Sequence, residues 1–277
     1  MSEEKYLFFD MDGTLISPTT RQVPESTIEG IQLAMKNGHH CFICTGRSYK
    51  MAQEYQNDIH IPGIVFCNGA GIAYDGKILE TRNISKDVVD KMIERCEALG
   101  GGYQILTTTY AYQNEYEHKR FATGSFLKFP GLSIEECFER KGMKMISDYQ
   151  GEEVQKIDVE FPSLVTADVF FAGVPASLNT VLAGGYFTGM GRSGGELMCE
   201  GITKGYGVTR VLDMFSAHPH DAYCFGDSTN DIEMMQTCGT GIAMGNGVEV
   251  CKRSADYITN DVDHDGIYNA LKHFGLI

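Results

Sequence analysis

The sequence has little positive charge for its size: 23 Lys and Arg residues stand against 37 Asp and Glu residues, and the formal net charge is −14 at pH 7. Binding to a nucleic-acid backbone requires a basic face, so this composition excludes nucleic acid as an expected partner. The chain also lacks an apolar run long enough to cross a bilayer, and its N-terminus has no basic segment leading into such a run. We therefore expect a cytoplasmic protein that does not bind membranes.

Paired cysteines of the kind found in disulfide frameworks are also missing. The nine cysteines are an odd number scattered among apolar neighbours, which is typical of a reducing compartment. Cys41 and Cys44 have the spacing of a redox or zinc pair, but no second pair follows at metal-ligand spacing. We interpret both as buried residues of a strand.

The two ends of the chain alternate between strand-like and helical patterns. The apolar run "YLFF" is followed by a helical pattern from Pro24 to Asn37, the strand "CFIC", a helix to about Ile59 and the strand "GIVF". After Leu197 the alternation returns, with a helix from Lys204 to Phe215, the strands "AYCFG" and "TGIAM", and a last helix. This alternation predicts an α/β fold with a doubly wound, Rossmann-like parallel sheet.

The middle of the chain has a different pattern. A helical stretch near residues 85–99 is followed by short strand-like segments such as "YQILTT" and "KIDVEF", with glycines between them. We expect residues 1–81 and 196–277 to form one core domain, and residues 82–195 to form an inserted α+β domain.

Polar residues that follow the predicted parallel strands carry the candidate chemistry. Ligands of open α/β sheets bind beyond the carboxyl ends of the strands, so these residues should converge there. They are Asp10, Asp12, Thr45, Asn68, Asp227, Asn230 and Asp231, with Lys204 at the start of a helix. Several carboxylates together suit Mg²⁺, which prefers oxygen ligands.

This set of residues has the parts needed for phosphoryl transfer. One carboxylate, Asp10, can attack an electrophilic phosphorus, while Asp227 helps to hold the metal. Asp12 is placed to act as the general acid and base. Thr45 and Lys204 would hold the phosphoryl oxygens.

Four motifs in this order resemble those of the haloacid dehalogenase superfamily, and more narrowly its Cof-like phosphatases with a large α/β cap. The motifs are Asp10-Met11-Asp12-Gly13-Thr14, Thr45-Gly46-Arg47, Lys204 in "GITKG", and Gly226-Asp227-Ser228-Thr229-Asn230-Asp231. The resemblance covers the predicted core well and the inserted domain hardly at all.

The resemblance implies a role for each motif residue. Asp10 would be the nucleophile, Asp12 the acid/base, Thr45 a phosphate ligand and Lys204 the cation that steadies Asp10. The Mg²⁺ ligands would be Asp10, the backbone carbonyl of Asp12, Asp227 and, directly or through water, Asp231. Phosphate or substrate contacts would come from Met11, Gly46, Arg47 and Asn230. The inserted domain would be a mobile cap that selects a small phosphorylated metabolite, with sugar phosphates favoured.

The sequence leaves two other functions open. A phosphomutase or other phosphotransferase would use the same aspartyl-phosphate and pass the group to a hydroxyl acceptor. A non-catalytic ligand-binding module could keep the same fold, although no motif residue is missing. A phosphoacceptor switch domain is disfavoured because it needs neither an inserted domain nor a second aspartate. The oligomeric state does not follow from the sequence.

Three further segments have ordinary structural interpretations. "DVDHDG" resembles the start of a calcium loop, but Lys272 stands where that loop needs a glutamate, so we expect Asp265 to cap the last helix. "GMGRSGG" is predicted to form turns of the inserted domain. "TTYAYQNEYEHKRF" is expected either to contact substrate or to form a surface strand and loop.

Overall fold

The computed structural model describes residues 4–123, 131–182 and 193–277. The chain forms two compact units. The first comprises Met1–Arg47, Ala52–Glu80 and Ile202–Ile277, and the second comprises Ser48–Met51 and Thr81–Gly201.

The regular elements of the described residues are numbered in chain order. The strands are β1 (Tyr6–Phe9), β2 (His40–Cys44), β3 (Gly63–Phe66), β4 (Gly71–Tyr74), β5 (Lys77–Thr81), β6 (Gly102–Leu106), β7 (Ala111–Gln113), β8 (Met143–Met145), β9 (Lys156–Phe161), β10 (Leu178–Leu182), β11 (Ser193–Cys199), β12 (Ala222–Gly226), β13 (Thr240–Ala243) and β14 (Tyr257–Ile258). The helices are α1 (Glu25–Lys36), α2 (Tyr49–Ile59), α3 (Lys86–Ala98), α4 (Glu115–Thr123), α5 (Ile134–Arg140), α6 (Leu164–Phe171), α7 (Lys204–Phe215), α8 (Ile232–Thr237), α9 (Glu249–Ser254) and α10 (Gly266–His273).

The first unit is built on a sheet whose described strands run in the order β14-β13-β12-β1-β2-β3-β4-β5. The strands from β14 to β3 are parallel, and β4 is antiparallel to β3. All four residues of β1 are buried, as expected for a parallel strand covered on both faces. Phe8, Phe42 and Cys224 of this sheet pack with Val208 and Leu212 of α7. The predicted α/β class with a parallel-sheet core is confirmed.

The second unit has its own sheet, with the described strands in the order β10-β11-β9-β6-β7-β8. Its strand pairs are antiparallel except for the parallel pair of β7 and β8. One face carries a separate apolar core in which Tyr103, Ile157 and Val159 pack with Val89 of α3 and Phe170 of α6. Residues 81–201 therefore have the mixed α+β composition that the sequence predicted.

Part of the second unit differs from the sequence prediction. The segment "TTYAYQNEYEHKRF", expected either to contact substrate or to form a surface strand and loop, contains the short strand β7 and then most of the helix α4. Asn114 starts this helix, because its side-chain oxygen accepts a hydrogen bond from the backbone N–H of Glu117 at 3.1 Å. The charged residues of α4 lack an apolar periodicity, which is why the helix was missed.

The glycine-rich segment is also corrected. Gly194 and Gly195 lie inside β11 rather than in a turn, and residues 189–192 of "GMGRSGG" lie outside the described residues. The boundary expected at residue 196, where the chain was predicted to re-enter the core domain, therefore lies within β11. The compact units divide instead between Gly201 and Ile202. A strand with two adjacent glycines has no apolar alternation by which the sequence could have identified it.

Two predictions about single residues can be checked. Cys41 and Cys44 are buried in β2, and burial raises the pKa of both thiols, so their interpretation as inert core residues is confirmed. Asp265 precedes α10 as expected, but its backbone is left-handed (φ 58°) and its side chain makes no capping hydrogen bond in the described structure. Within the described ranges, none of the helices combines the length and the apolar character that crossing a membrane requires.

Candidate active site

The two central parallel strands of the first unit bring two aspartates to one edge of the sheet. β1 and β12 pair in register, with Phe9 opposite Phe225. Asp10 follows β1, and its N–H donates to the carbonyl of Phe225 at 3.0 Å. Asp227 follows β12, so both carboxylates lie at the carboxyl end of the sheet, where α/β proteins bind ligands. Both residues are only 6% exposed.

Lys204 supplies a buried positive charge at this site. It is the first residue of α7, after the N-cap Thr203, and it is 1% exposed. Its Nζ lies 2.5 Å from Oδ1 of Asp10 and 2.6 Å from Oδ1 of Asp231. Burial disfavours the charged ammonium, but the two carboxylates more than offset this and raise the pKa of Lys204 well above its usual value. The lysine is therefore charged and held between two carboxylates.

Asp231 fixes the loop that carries Asp227. Its Oδ2 accepts hydrogen bonds from the backbone N–H groups of Asp227 and Ser228, both at 2.9 Å. Gly226 leaves room for this arrangement, because a Cβ at that position would lie 2.5 Å from the Cβ of Asp231. Asp231 is fully buried, so both of its oxygens serve hydrogen bonds inside the site.

Asp227 is held from the opposite side by the loop after β1. Thr14 Oγ1 donates to its Oδ1 at 3.2 Å. Gly13 has φ 92°, and a Cβ there would lie 2.5 Å from Oδ2 of Asp227. A side chain at position 13 would thus be strained by its own backbone and would collide with the carboxylate.

The carboxylates outnumber the cation in this buried cluster. One oxygen from each of Asp10, Asp227 and Asp231 lies within 4.8 Å of the others, and the ammonium of Lys204 balances one of the three charges. Burial and the neighbouring carboxylates raise the pKa of Asp10 well above its usual value and that of Asp227 to about 7. A divalent cation with oxygen ligands would supply the missing positive charge, so the residues present fit Mg²⁺.

Asp12 lies in a different environment, although it is only two residues away. Its side chain is 56% exposed and forms a paired contact with Arg47, with Nε donating to Oδ2 at 2.9 Å and Nη2 to Oδ1 at 2.5 Å. Desolvation opposes its ionisation, but the guanidinium outweighs this and lowers the pKa of Asp12 below its usual value. The Arg47 guanidinium also lies 5.2 Å from the ring centroid of Tyr55.

The loop after β2 connects Arg47 to the other strand-end residues. Thr45 Oγ1 accepts a hydrogen bond from the Arg47 N–H at 3.1 Å. Asn68 follows β3 in a left-handed conformation (φ 52°), and its N–H donates to the Thr45 carbonyl at 2.9 Å. A Cβ on Gly46 would lie 3.0 Å from Oδ1 of Asn68. Thr45, Gly46, Arg47 and Asn68 therefore form one packed loop cluster.

Two predicted site residues make other contacts in this structure. The side chain of Met11 is fully buried, so a contact with phosphate would have to come from its backbone. The side-chain oxygen of Asn230 accepts from Ser228 Oγ at 2.5 Å within the same turn.

Thr14 and Asn246 are structural parts of the site to which the sequence interpretation gave no role. Asn246 Nδ2 donates to the Gly13 carbonyl at 2.7 Å, and its Oδ1 accepts from the Val262 N–H at 2.9 Å. It thus ties the aspartate loop to the segment that follows β14. Asn246 comes shortly after β13, so the same strand-end rule could have found it.

Comparison with known proteins agrees with this geometry. Residues 7–271 match the family model of haloacid dehalogenase-like hydrolases. The chain belongs to this family. This haloacid dehalogenase-like hydrolase is 26% identical over 280 residues to YkrA of Bacillus subtilis, whose name assigns it provisionally to the phosphatases, with 99% of each chain covered. It is 24% identical to the 5-amino-6-(5-phospho-D-ribitylamino)uracil phosphatase YitU of Bacillus subtilis, again over 99% of each chain.

A solved structure gives the same family. The HAD subclass IIB sugar phosphatase BT4131 superposes with a TM-score of 0.77 at 29% identity, covering 99% of this chain and 100% of the other. The predicted superfamily is confirmed, and the predicted class of enzyme, a phosphatase among the hydrolases, is supported by the family and by the names of these relatives.

Proposed function

We propose that this hydrolase is a Mg²⁺-dependent phosphatase of small phosphate monoesters that acts through an aspartyl-phosphate at Asp10. The observation that supports it best is the buried cluster of three carboxylates around one lysine. Such a cluster is costly to bury unless a cation or an ionised substrate group uses it. We include in the proposal that the first unit is the catalytic core and the second is the cap that selects the substrate.

In this proposal the metal ligands are Asp10, Asp227 and the backbone carbonyl of Asp12. Asp231 supports them, because it holds both the Asp227 N–H and the Lys204 ammonium. When bound, Mg²⁺ would neutralise charge on the phosphoryl oxygens and on the carboxylates.

Phosphoryl transfer would begin at Asp10. The carboxylate oxygen of Asp10 attacks phosphorus, the new oxygen–phosphorus bond forms, and the bond from phosphorus to the ester oxygen breaks. Lys204, 2.5 Å from Oδ1 of Asp10, fixes the orientation of this carboxylate and offers positive charge to the phosphoryl group. Thr45 and the backbone of Met11 would contact the other phosphoryl oxygens.

Asp12 would carry the proton in both steps. It gives a proton to the leaving ester oxygen, and it later takes one from the water that hydrolyses the aspartyl-phosphate. Because Arg47 binds both of its oxygens and lowers its pKa, the protonated acid requires this ion pair to loosen. The guanidinium would then be available to a phosphate or another anionic group of the substrate.

Sugar phosphates are the proposed substrate class. This rests on relatives: BT4131 is described as a sugar phosphatase, and YitU acts by its name on a phosphoribityl compound. With a net charge of −14, the protein must attract an anionic substrate locally, which Lys204 and Arg47 can do. We place the enzyme in the cytoplasm on the composition argument alone.

The test is release of phosphate from an aryl phosphate, with Mg²⁺ and with a chelator. We expect the wild type to require Mg²⁺, and Asp10→Asn to lose at least about 10³-fold in rate because the nucleophile is removed. Asp58→Asn, an exposed aspartate of α2, is the matched control and should keep wild-type activity. Release that survives Asp10→Asn or the chelator would refute the proposal.

Adding a hydroxyl acceptor distinguishes hydrolysis from phosphotransfer. A phosphomutase or phosphotransferase would produce phosphorylated acceptor in place of inorganic phosphate. Binding of phosphate esters with no turnover on a broad monoester panel would instead favour a non-catalytic module.

A further inference from the structure

The helix that carries Lys204 has two glycines among its first four residues. Gly205 and Gly207 flank Tyr206 at the start of α7, and both glycines are buried. Glycine is a weaker helix former than alanine, so local propensity does not explain this pair. The packing of α7 within the first unit does.

Gly207 faces the strand β3 and the turn that follows it. A Cβ on Gly207 would lie 2.8 Å from the Cα of Gly69 and closer still to Cγ1 of Val65. Carbon atoms in ordinary contact are about 3.5–4.0 Å apart, so even one methyl group would push the helix or the turn by about 1 Å. The backbone of α7 therefore rests directly on the backbone of Gly69.

Gly205 faces the helix α8 on the opposite side of α7. A Cβ on Gly205 would lie 2.6 Å from the carbonyl oxygen of Glu233 and 2.7 Å from Oγ1 of Thr237. Both residues belong to α8, which begins directly after Asp231. Two residues apart along a helix correspond to a rotation of about 200°. The start of α7 is thus held in a slot that has backbone atoms on both sides.

The turn that forms one wall of this slot also contacts the loop after β2. Its three residues, Cys67–Gly69, all have positive φ angles, of 49°, 52° and 99°. The Cys67 N–H donates to the Arg47 carbonyl at 2.9 Å. Such a strained backbone persists only where the surrounding structure holds it, which the β2 loop and α7 do here. The turn therefore fixes the start of α7 relative to the loop that contains Thr45 and Arg47.

We propose that Gly205 and Gly207 are positioning residues that hold the Lys204 ammonium between Asp10 and Asp231. Lys204 lies three residues before Gly207 and so shares its side of the helix. Its Nζ lies 2.5 and 2.6 Å from the two carboxylates, and a shift of about 1 Å would lengthen these contacts beyond hydrogen-bond distance. The effect on the ion pairs stands alone, whereas the effect on catalysis rests on the proposed phosphatase function.

The first test measures the urea midpoint of unfolding in the presence of a chelator. Lys204→Met is made in the wild type, in Gly207→Ala and in Gly30→Ala. If Gly207→Ala has already displaced the ammonium, adding Lys204→Met should lower the midpoint by clearly less than it does in the wild type. Gly30 is the matched control: it is a buried glycine of α1 whose Cβ would meet side-chain atoms of Leu271 and Tyr268 at 3.1 and 3.3 Å. In Gly30→Ala, the shift caused by Lys204→Met should equal that in the wild type.

The second test measures hydrolysis of an aryl phosphate. Gly207→Ala should lower kcat by about tenfold or more, because a misplacement of about 1 Å is costly for catalysis. The change in KM should be smaller, and Gly30→Ala should keep both constants. A purely structural role for Gly207 would lower stability without changing kcat of the folded enzyme.

The outcomes separate this inference from the proposed function. Equal midpoint shifts from Lys204→Met in Gly207→Ala and Gly30→Ala would overturn it, and so would a wild-type kcat in Gly207→Ala. A wild type that releases no phosphate would refute the phosphatase proposal, but the unfolding test would still decide what positions Lys204. If Gly207→Ala does not fold, Gly205→Ala takes its place in both tests, because it obstructs the other wall of the slot.

Discussion

Replacing Lys204 by methionine should destabilise the first unit strongly. The substitution keeps the length of the side chain but removes the ammonium that lies 2.5 and 2.6 Å from two buried carboxylates. Removing one partner of a buried ion pair costs about 3–5 kcal/mol, because a charge is left uncompensated. At about 2–4 °C per kcal/mol for a chain of this size class, Tm should fall by roughly 10 °C.

The loss of stability caused by Lys204→Met should depend on pH in a defined direction. Without the ammonium, the pKa of Asp10 in the folded state rises further above its usual value. When the pKa of a carboxyl group is higher in the folded state than in the unfolded state, the folded state binds the proton more tightly. The free energy of unfolding therefore falls as pH rises from the pKa of the unfolded state, about 4, to the pKa of the folded state. The difference between the variant and the wild type should therefore be larger at pH 8 than at pH 5.

The assay is urea unfolding of both proteins at pH 5 and pH 8 in the presence of a chelator. Lys86→Met is the matched control, since Lys86 also opens a helix but its pair with Asp90 is exposed, so the change in stability should be small. A Lys204→Met protein as stable as Lys86→Met at pH 8 would refute the reasoning. Recovery of stability with added Mg²⁺ would agree with the charge balance proposed for the site.

Two further predictions concern the loop residues around the carboxylates. Gly13→Ala and Gly38→Ala introduce a Cβ at nearly the same φ (92° and 94°), but only the first meets Asp227. Both should lose about 1–3 kcal/mol of stability, whereas only Gly13→Ala should raise the Mg²⁺ concentration needed for activity; an equal Mg²⁺ requirement would contradict this. Arg47→Gln removes the guanidinium that lowers the pKa of Asp12, so protonated Asp12 should persist to higher pH. We expect the pH–rate profile to shift upward, and an unchanged profile would show that Arg47 does not control this acid.

The sequence by itself determined the parallel sheet and most residues of the candidate site. Apolar runs such as "YLFF" identify buried strands, and the polar residues after them must meet, because parallel strands end at one edge. Asp10 and Asp227 were found in this way, and Lys204 by its position at the start of a predicted helix. These features depend on local pattern and on a topological rule, so they can be read without coordinates.

Only the tertiary structure decided which polar groups pair. Asp10 and Asp12 are two residues apart, yet one is buried against Lys204 and the other is more than half exposed against Arg47. Their pKa values consequently move in opposite directions. The bond from Asn246 to Gly13 crosses 233 positions of the chain. Such pairings depend on packing between distant segments, which local sequence patterns do not record.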